Sequence, residues 1–191
     1  MRLIRMAAAL AAVAVPLAGW AAEPLPSWHD GPAKTAILDF VETVTREGGD
    51  SYVPADERIA VFDNDGTLWS ERPVYFQFLF ALDRAAELAE DDPSWAATPA
   101  LEAAAAGDVA AIVQGGEAAL LEVVAATHSG TTVDAFTETV ADWVAEARHP
   151  ETGRRYTDMV FQPMLELLDH LRAHDFTPYI VSGGGVDFMR A

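Results

Sequence analysis

Cysteine is absent from this 191-residue chain. That excludes disulfides, thiolate metal sites and lipid attachment through an N-terminal cysteine. Basic residues are scarce: 12 Lys and Arg stand against 30 Asp and Glu, a formal charge of −18, and Lys34 is the only lysine. Nucleic acid and anionic membrane surfaces both need basic patches, so neither is expected as a partner. An anionic substrate would have to be held by a metal ion, by backbone amides or by a few arginines.

The N-terminus supplies an address. Arg2 and Arg5 precede an apolar run over residues 6–18, and Gly19 and Ala21 stand at −3 and −1 of a cleavage site after Ala21. This pattern predicts a signal peptide over residues 1–21, since the run falls short of the ~20 apolar residues that span a bilayer. Its removal takes two arginines and no acid, leaving the chain still more acidic. Export without an oxidative folding step suits a cysteine-free chain, so a periplasmic or secreted protein is expected, with no membrane attachment after cleavage.

Apolar residues make up 51% of the sequence, enough for one domain or for a core with an inserted module. Ile37, Leu38, Val41 and Val44 have helical spacing within residues 33–47, closed by Gly48 and Gly49. Ile59 to Phe62 read as a short buried strand. From Pro73 to His149 the pattern is helical. One face of a first helix is expected to carry Val74, Phe78, Leu82 and Ala86. Two alanine-rich candidates, residues 101–113 and 117–126, are broken at Gly107 and at Gly115–Gly116. A stripe of Val133, Phe136, Val140, Trp143 and Val144 is opened by a Thr131/Asp134 capping box. HPETGRRYT (149–157) reads as a connector, Pro163 opens a helix carrying Met164, Leu167, Leu168 and Leu171, and TPYIV (177–181) reads as a second strand followed at once by SGGG.

A strand, a long helical insertion, a helix and a second strand form a βαβ-type unit. Parallel strands would put both C-terminal ends on one edge, where open α/β sheets bind ligands. The first strand ends in Asp63-Asn64-Asp65-Gly66-Thr67 and the second in Ser182-Gly183-Gly184. Two carboxylates there can divide their labour, one attacking as nucleophile and the other moving protons. A phosphate dianion approaching two anions needs a divalent cation, and oxygen ligands of this kind suit Mg2+. Thr67 and Ser182 can hydrogen-bond phosphate oxygens together with loop amides, and Gly66 allows a tight turn. Without such a partner, Asp-Asn-Asp-Gly-Thr is also a good turn in its own right.

Over residues 34–191 the chain resembles the haloacid dehalogenase-like (HAD) superfamily. Its first motif, Asp-x-Asp-x-Thr after an apolar strand, is matched by Asp63–Thr67, and its second, a Ser or Thr ending the next core strand, by Ser182. The resemblance implies an α/β fold: a Rossmann-like parallel sheet core, here over residues 22–72 and 150–191, with a helical cap inserted over residues 73–149. It further implies Asp63 as nucleophile, Asp65 as general acid and base, and Thr67, Ser182 and Gly183 as phosphate contacts. Mg2+ would be bound by Asp63 and by the main-chain carbonyl of Asp65. The second aspartate points to phosphoester rather than halide chemistry, because a halide leaves without a proton. SGG is similar to the phosphoserine phosphatase branch, although Gly66 stands where that branch usually has Ser. Hydrolysis of a small phosphorylated molecule through an aspartyl-phosphate is therefore expected, with transfer to an alcohol as a related alternative.

The family also requires a later Lys or Arg and a later acidic pair. Nine residues follow Ser182, and among them Arg190 and Asp187 come too early for those motifs. With two convincing strands where the family has at least five, the chain reads as a C-terminally truncated piece of a longer enzyme, inactive by itself. The alternative is an inactive half-fold that acts as an acidic binding protein. Weaker features are His170 and His174, four apart and able to share a metal only with a third ligand. Arg154 and Arg155 could reach an anion or could be solvated connector charges. Trp69, Tyr75, Phe76, Trp95 and Trp143 could line a cation cage or, more simply, a core.

Overall fold

The structure, a computed structural model, describes residues 23–191; the expected signal peptide lies outside them. Helix α1 (Pro32–Thr45) leads to strand β1 (Ile59–Phe62). Helices α2 (Phe76–Asp91), α3 (Pro99–Ala105), α4 (Val109–His128) and α5 (Val133–Glu146) follow. The chain then returns through α6 (Gln162–Ala173), β2 (Thr177–Ile180) and α7 (Val186–Arg190). The fold is mostly helical, with one small parallel sheet in which Ile59 pairs with Thr177 and Phe62 with Ile180. A larger Rossmann-type sheet, expected from the resemblance, is not present among the described residues.

Both strands and the parallel pairing follow the sequence pattern, because β-branched and aromatic residues bounded by turn formers leave few other conformations. One face of the sheet packs on α1 and α6, with Val41, Val44, Leu167, Leu171 and Phe176 buried against Ala60 and Phe62. Leu25 joins this core, and Trp28 Nε1 donates to the Pro163 carbonyl at 2.8 Å, so the Pro-rich entry is clamped to α6. The opposite face of the sheet, with Ile59, Val61, Tyr179 and Val181, is more than half exposed.

The helical region departs from the predicted pattern in three places. Helix α2 starts at Phe76, and its buried stripe is Phe76, Phe80, Ala81, Leu82 and Ala85; Val74 precedes the helix, Phe78 is half-buried and Ala86 exposed. The aromatic rings outcompete the smaller residues for the interior because each buries far more area. The two alanine-rich candidates become α3 and a longer α4, with Gly107 (φ 68°) in the turn between them. The expected break at Gly115–Gly116 survives as a kink inside α4, where Gly116 takes φ 72°. The cap of α5 is Thr132, whose side chain accepts from Ala135 N–H, one residue after the expected Thr131/Asp134 box.

Two further clusters complete the interior. Ala81, Leu82, Ala85, Leu101, Ala104, Ile112 and Val123 join α2, α3 and α4. Phe80, Phe136, Val140 and Phe188, with Trp69, Trp143 and Val144 against them, join α2 and α5 to α7. This second cluster docks the helical insertion onto the segment that follows β2. It also fixes the insertion relative to the strand ends.

Candidate active site

The DNDGT segment is a compact turn built on Asn64. This buried residue's carbonyl accepts from Thr67 N–H at 3.1 Å and Leu68 N–H at 2.8 Å. Asn64 N–H in turn donates to Asp63 Oδ1 at 2.7 Å. Gly66 takes φ 72°, and a Cβ there would stand 2.8 Å from the Glu71 carboxylate carbon. Glycine is therefore required for its backbone conformation, whereas Glu71, met at the far end of its flexible side chain, could swing aside. The chain leaving the turn pairs with the chain returning from the helical insertion: Ser70 N–H donates to the Met159 carbonyl, and Phe161 N–H to that of Leu68.

Asp65 is oriented by a residue that motif spacing did not select for this task. Trp69 Nε1–H donates to Asp65 Oδ1 at 2.8 Å, while the indole packs edge-on against Phe76 at 4.8 Å between ring centroids. An indole is a donor only, so the bond fixes Oδ1 as its acceptor and sets the direction of the second oxygen. A Trp four residues after an acid, with its ring on an aromatic core, is a signal that could have been read earlier.

Asp65 and the Ser182 loop meet as the strand order predicts. Ser182 Oγ accepts from Gly184 N–H at 3.1 Å. A Cβ built on Gly184 would stand 3.5 Å from Ser182 Oγ, 4.0 Å from Asp65 Oδ2 and 3.2 Å from Gln77 Oε1. Gln77, from the first turn of α2, was not anticipated. Its Oε1 accepts from Gly185 N–H at 2.7 Å, which turns its Nε2 toward His128 Nε2 at 3.1 Å. His128 Nδ1–H then donates to Thr127 Oγ1 at 2.8 Å, whose own proton goes to the Val123 carbonyl. Burial holds His128 below its ordinary value of 6.5, in keeping with this neutral tautomer. One hydrogen-bond chain thus ties the Gly-rich loop to α2 and α4.

Thr67 lies half-buried beside this site and Gly183 exposed on its rim. Asp63 is exposed, and its second oxygen carries no hydrogen bond among the described residues. No cluster of three or more His, Asp or Glu able to hold a metal is present among the described residues. Mg2+ keeps several waters and needs only one or two carboxylates beside a substrate phosphate. Asp63, exposed and with one oxygen free of hydrogen bonds among the described residues, has the oxygen chemistry of such a ligand.

The other candidates resolve toward structural roles. The rings of His170 and His174 lie 4.4 Å apart, but His174 Nδ1 is bonded to the His170 carbonyl, and burial holds His170 below its usual value. Arg155 pairs with Asp158, and Arg154 bonds the Asp158 carbonyl, so both brace their own connector. The five aromatics do not form one cage. Trp69, Phe76 and Trp143 enter the packed aromatic cluster, Tyr75 is exposed, and Trp95 packs under α2 and α3. Tyr156 stacks on Trp143 at 4.9 Å, and burial together with the Asp83 charge pushes its hydroxyl up to about 12.

No protein-family model matches the chain, and no curated protein matches it.

Proposed function

We propose that the chain belongs to a HAD-type, Mg2+-dependent phosphomonoester hydrolase working through an aspartyl-phosphate on an α/β core with a helical cap, exported across the inner membrane. The observation that carries this is the approach of Asp65 to the Ser182–Gly184 loop across the ends of two neighbouring parallel strands.

In this mechanism the phosphoryl group sits over Asp63, with Ser182 Oγ, Thr67 and the Gly183 amide as donors to its oxygens. Mg2+, held by Asp63 and the Asp65 carbonyl, would supply charge neutralisation to the phosphate. Asp63 attacks phosphorus and the P–O bond to the leaving alcohol breaks. Asp65 gives that oxygen a proton. Asp65 then takes a proton from water as the water attacks the acyl-phosphate, releasing inorganic phosphate and restoring the Asp63 carboxylate. Passage of the same phosphoryl group to an alcohol would make the enzyme a transferase, and product analysis with an added alcohol separates the two.

A second reading, an inactive acidic binding protein, is favoured by the fact that no Lys or Arg is hydrogen-bonded or ion-paired to Asp63 or Asp65 among the described residues. Lys34 is engaged with Glu23 and Asp30 far along the chain, and the described residues hold no third metal ligand beside Asp63 and Asp65. Asp63→Asn decides between them. The hydrolase loses at least about 1,000-fold in phosphate release from a small phosphomonoester with Mg2+ present, by analogy with loss of other nucleophiles. Turnover that survives the substitution sinks the aspartyl-phosphate mechanism, and lack of turnover in a form that carries the later Lys or Arg and acidic pair favours the binding protein.

A further inference from the structure

Beside the Ser182 loop lies a cavity of about 170 Å3 between the α4–α5 turn, α2 and the start of α7. Gln77, His128, Thr131 and Asp187 line its polar side, and Phe136 and Phe188 its apolar side. It shares Gln77 and Gly185 with the hydrogen-bond chain on the Gly-rich loop, and Gly185 follows Gly184, whose missing Cβ would stand 4.0 Å from Asp65 Oδ2. Its volume is below the roughly 300–1,000 Å3 of pockets for drug-sized ligands. A nucleoside does not fit; a leaving group of a few atoms does.

The charge of the cavity is unusually one-sided. No Lys or Arg lines it. His128 is neutral in the hydrogen-bond arrangement fixed by Gly185 N–H, because its Nε2 must accept from Gln77. Asp187 is half-buried and makes no side-chain hydrogen bond or ion pair among the described residues. It is thus the one charged group in a small space that already has neutral donors and acceptors and an aromatic wall. A negatively charged leaving group would meet it without compensation, whereas an ammonium would gain both the carboxylate and the ring faces.

We propose that this cavity receives the leaving alcohol of the hydrolase reaction, and that Asp187 selects an alcohol bearing an ammonium group: the substrate is a small amino-alcohol phosphate. The inference rests on the phosphatase reading. It gives Asp187 a specificity-determining part, and it makes Gln77 a positioning residue that holds the wall of this cavity against the phosphate loop.

Three two-carbon phosphates of almost equal size test it on the full chain with Mg2+: 2-aminoethyl phosphate, 2-hydroxyethyl phosphate and 2-phosphoglycolate. The expected order of kcat/KM is cation above neutral above anion, with at least a hundredfold between the extremes. Asp187→Asn should lower the aminoethyl-to-hydroxyethyl ratio about tenfold. A flat series, a preferred anion or an unmoved ratio overturns the assignment while Asp63-dependent turnover of all three leaves the phosphatase reading in place. Because the substrate series uses the unaltered chain, misfolding of the Asp187 variant does not rescue or hide the proposal. A chain that turns over none of the three is titrated instead with 2-aminoethyl phosphate and followed by 15N shifts. Movement of the Gln77 side-chain amide and of Gly185, absent with 2-phosphoglycolate, supports the cavity and its preference for an ammonium. No movement overturns the assignment.

Discussion

Trp69 governs how Asp65 is presented, through one hydrogen bond from a ring that is otherwise part of the aromatic core. Trp69→Phe keeps most of that packing and deletes the donor. A hydrogen bond to a charged group contributes roughly 1.5–3 kcal/mol. If half of that orients Asp65 for proton transfer, kcat should fall about tenfold with KM little changed, which steady-state kinetics on a small phosphomonoester would show. An unchanged kcat would mean that Asp65 keeps its direction without the indole. Gly66 makes a separate residue-scale case. Its φ of 72° costs an alanine roughly 1–2 kcal/mol, and the new Cβ would also have to displace Glu71 from 2.8 Å. Gly66→Ala should therefore lower the thermal midpoint by several degrees, and a midpoint within a degree of the parent would show that the turn relaxes freely. Asp63, Asp65, Thr67 and Ser182 could be picked out as candidates because chemistry-bearing side chains at strand ends follow from local pattern. Gln77 and His128 were not, because nothing local marks a glutamine on a helix as the partner of a loop more than a hundred residues away.

At the scale of elements, strands and most helices could be read from periodicity, and the boundaries could not. Phe76 and Phe80 drew the α2 stripe away from the predicted one since rings joined at distance, to Tyr156, Phe136 and Phe188, fix its rotation. The connector at 149–157 hid a buried residue for a similar reason. His149 accepts from Glu151 and Thr152 N–H through Nδ1 and donates from Nε2 to the Arg72 carbonyl at 2.7 Å. It pins the exit of the helical insertion to its entry. A second histidine, His128, makes the helical elements sensitive to acid. Burial holds His128, and burial then His174 hold His170, below the usual 6.5. Below 6.5 the unfolded chain therefore binds protons that the folded chain refuses, so folding stability is fully present above that pH and declines as pH falls beneath it. Glu166, held low chiefly by its hydrogen bond from Ser27, adds its loss only below its ordinary value of 4.5. The thermal midpoint should thus begin to drop between pH 6.5 and 5. In His128→Gln, which can still hydrogen-bond but does not titrate, the drop in that window should be shallower. An identical pH profile would place the loss elsewhere.

For the whole molecule, two features oppose each other. The open sheet face presents Ile59, Val61, Tyr179 and Val181, each more than half exposed, beside a strand edge with no partner among the described residues. Such a face is a template for association. A formal charge of −18 pushes copies apart. The repulsion acts over the Debye length, about 10 Å at 0.1 M salt and about 3 Å at 1 M, whereas apolar contact acts at the surface and is not screened. Salt should therefore shift the balance toward association, the reverse of what an ion-paired interface would do. Light scattering on the chain at fixed concentration should rise between 0.1 and 1 M NaCl. Val61→Lys, which places a charge in the middle of the face without touching the buried side of β1, should suppress the rise. Scattering that falls with salt would point to ion-paired association instead, and a rise that ignores Val61 would locate the sticky surface on the exposed apolar residues of α4, Val113, Leu120 and Leu121. The sequence pattern read Ile59 to Phe62 as a buried strand, yet Ile59 and Val61 are exposed, because two four-residue parallel strands with helices on one side leave the other face uncovered. Which of the two surfaces dominates depends on packing that no local pattern encodes, and the Val61 variant separates them.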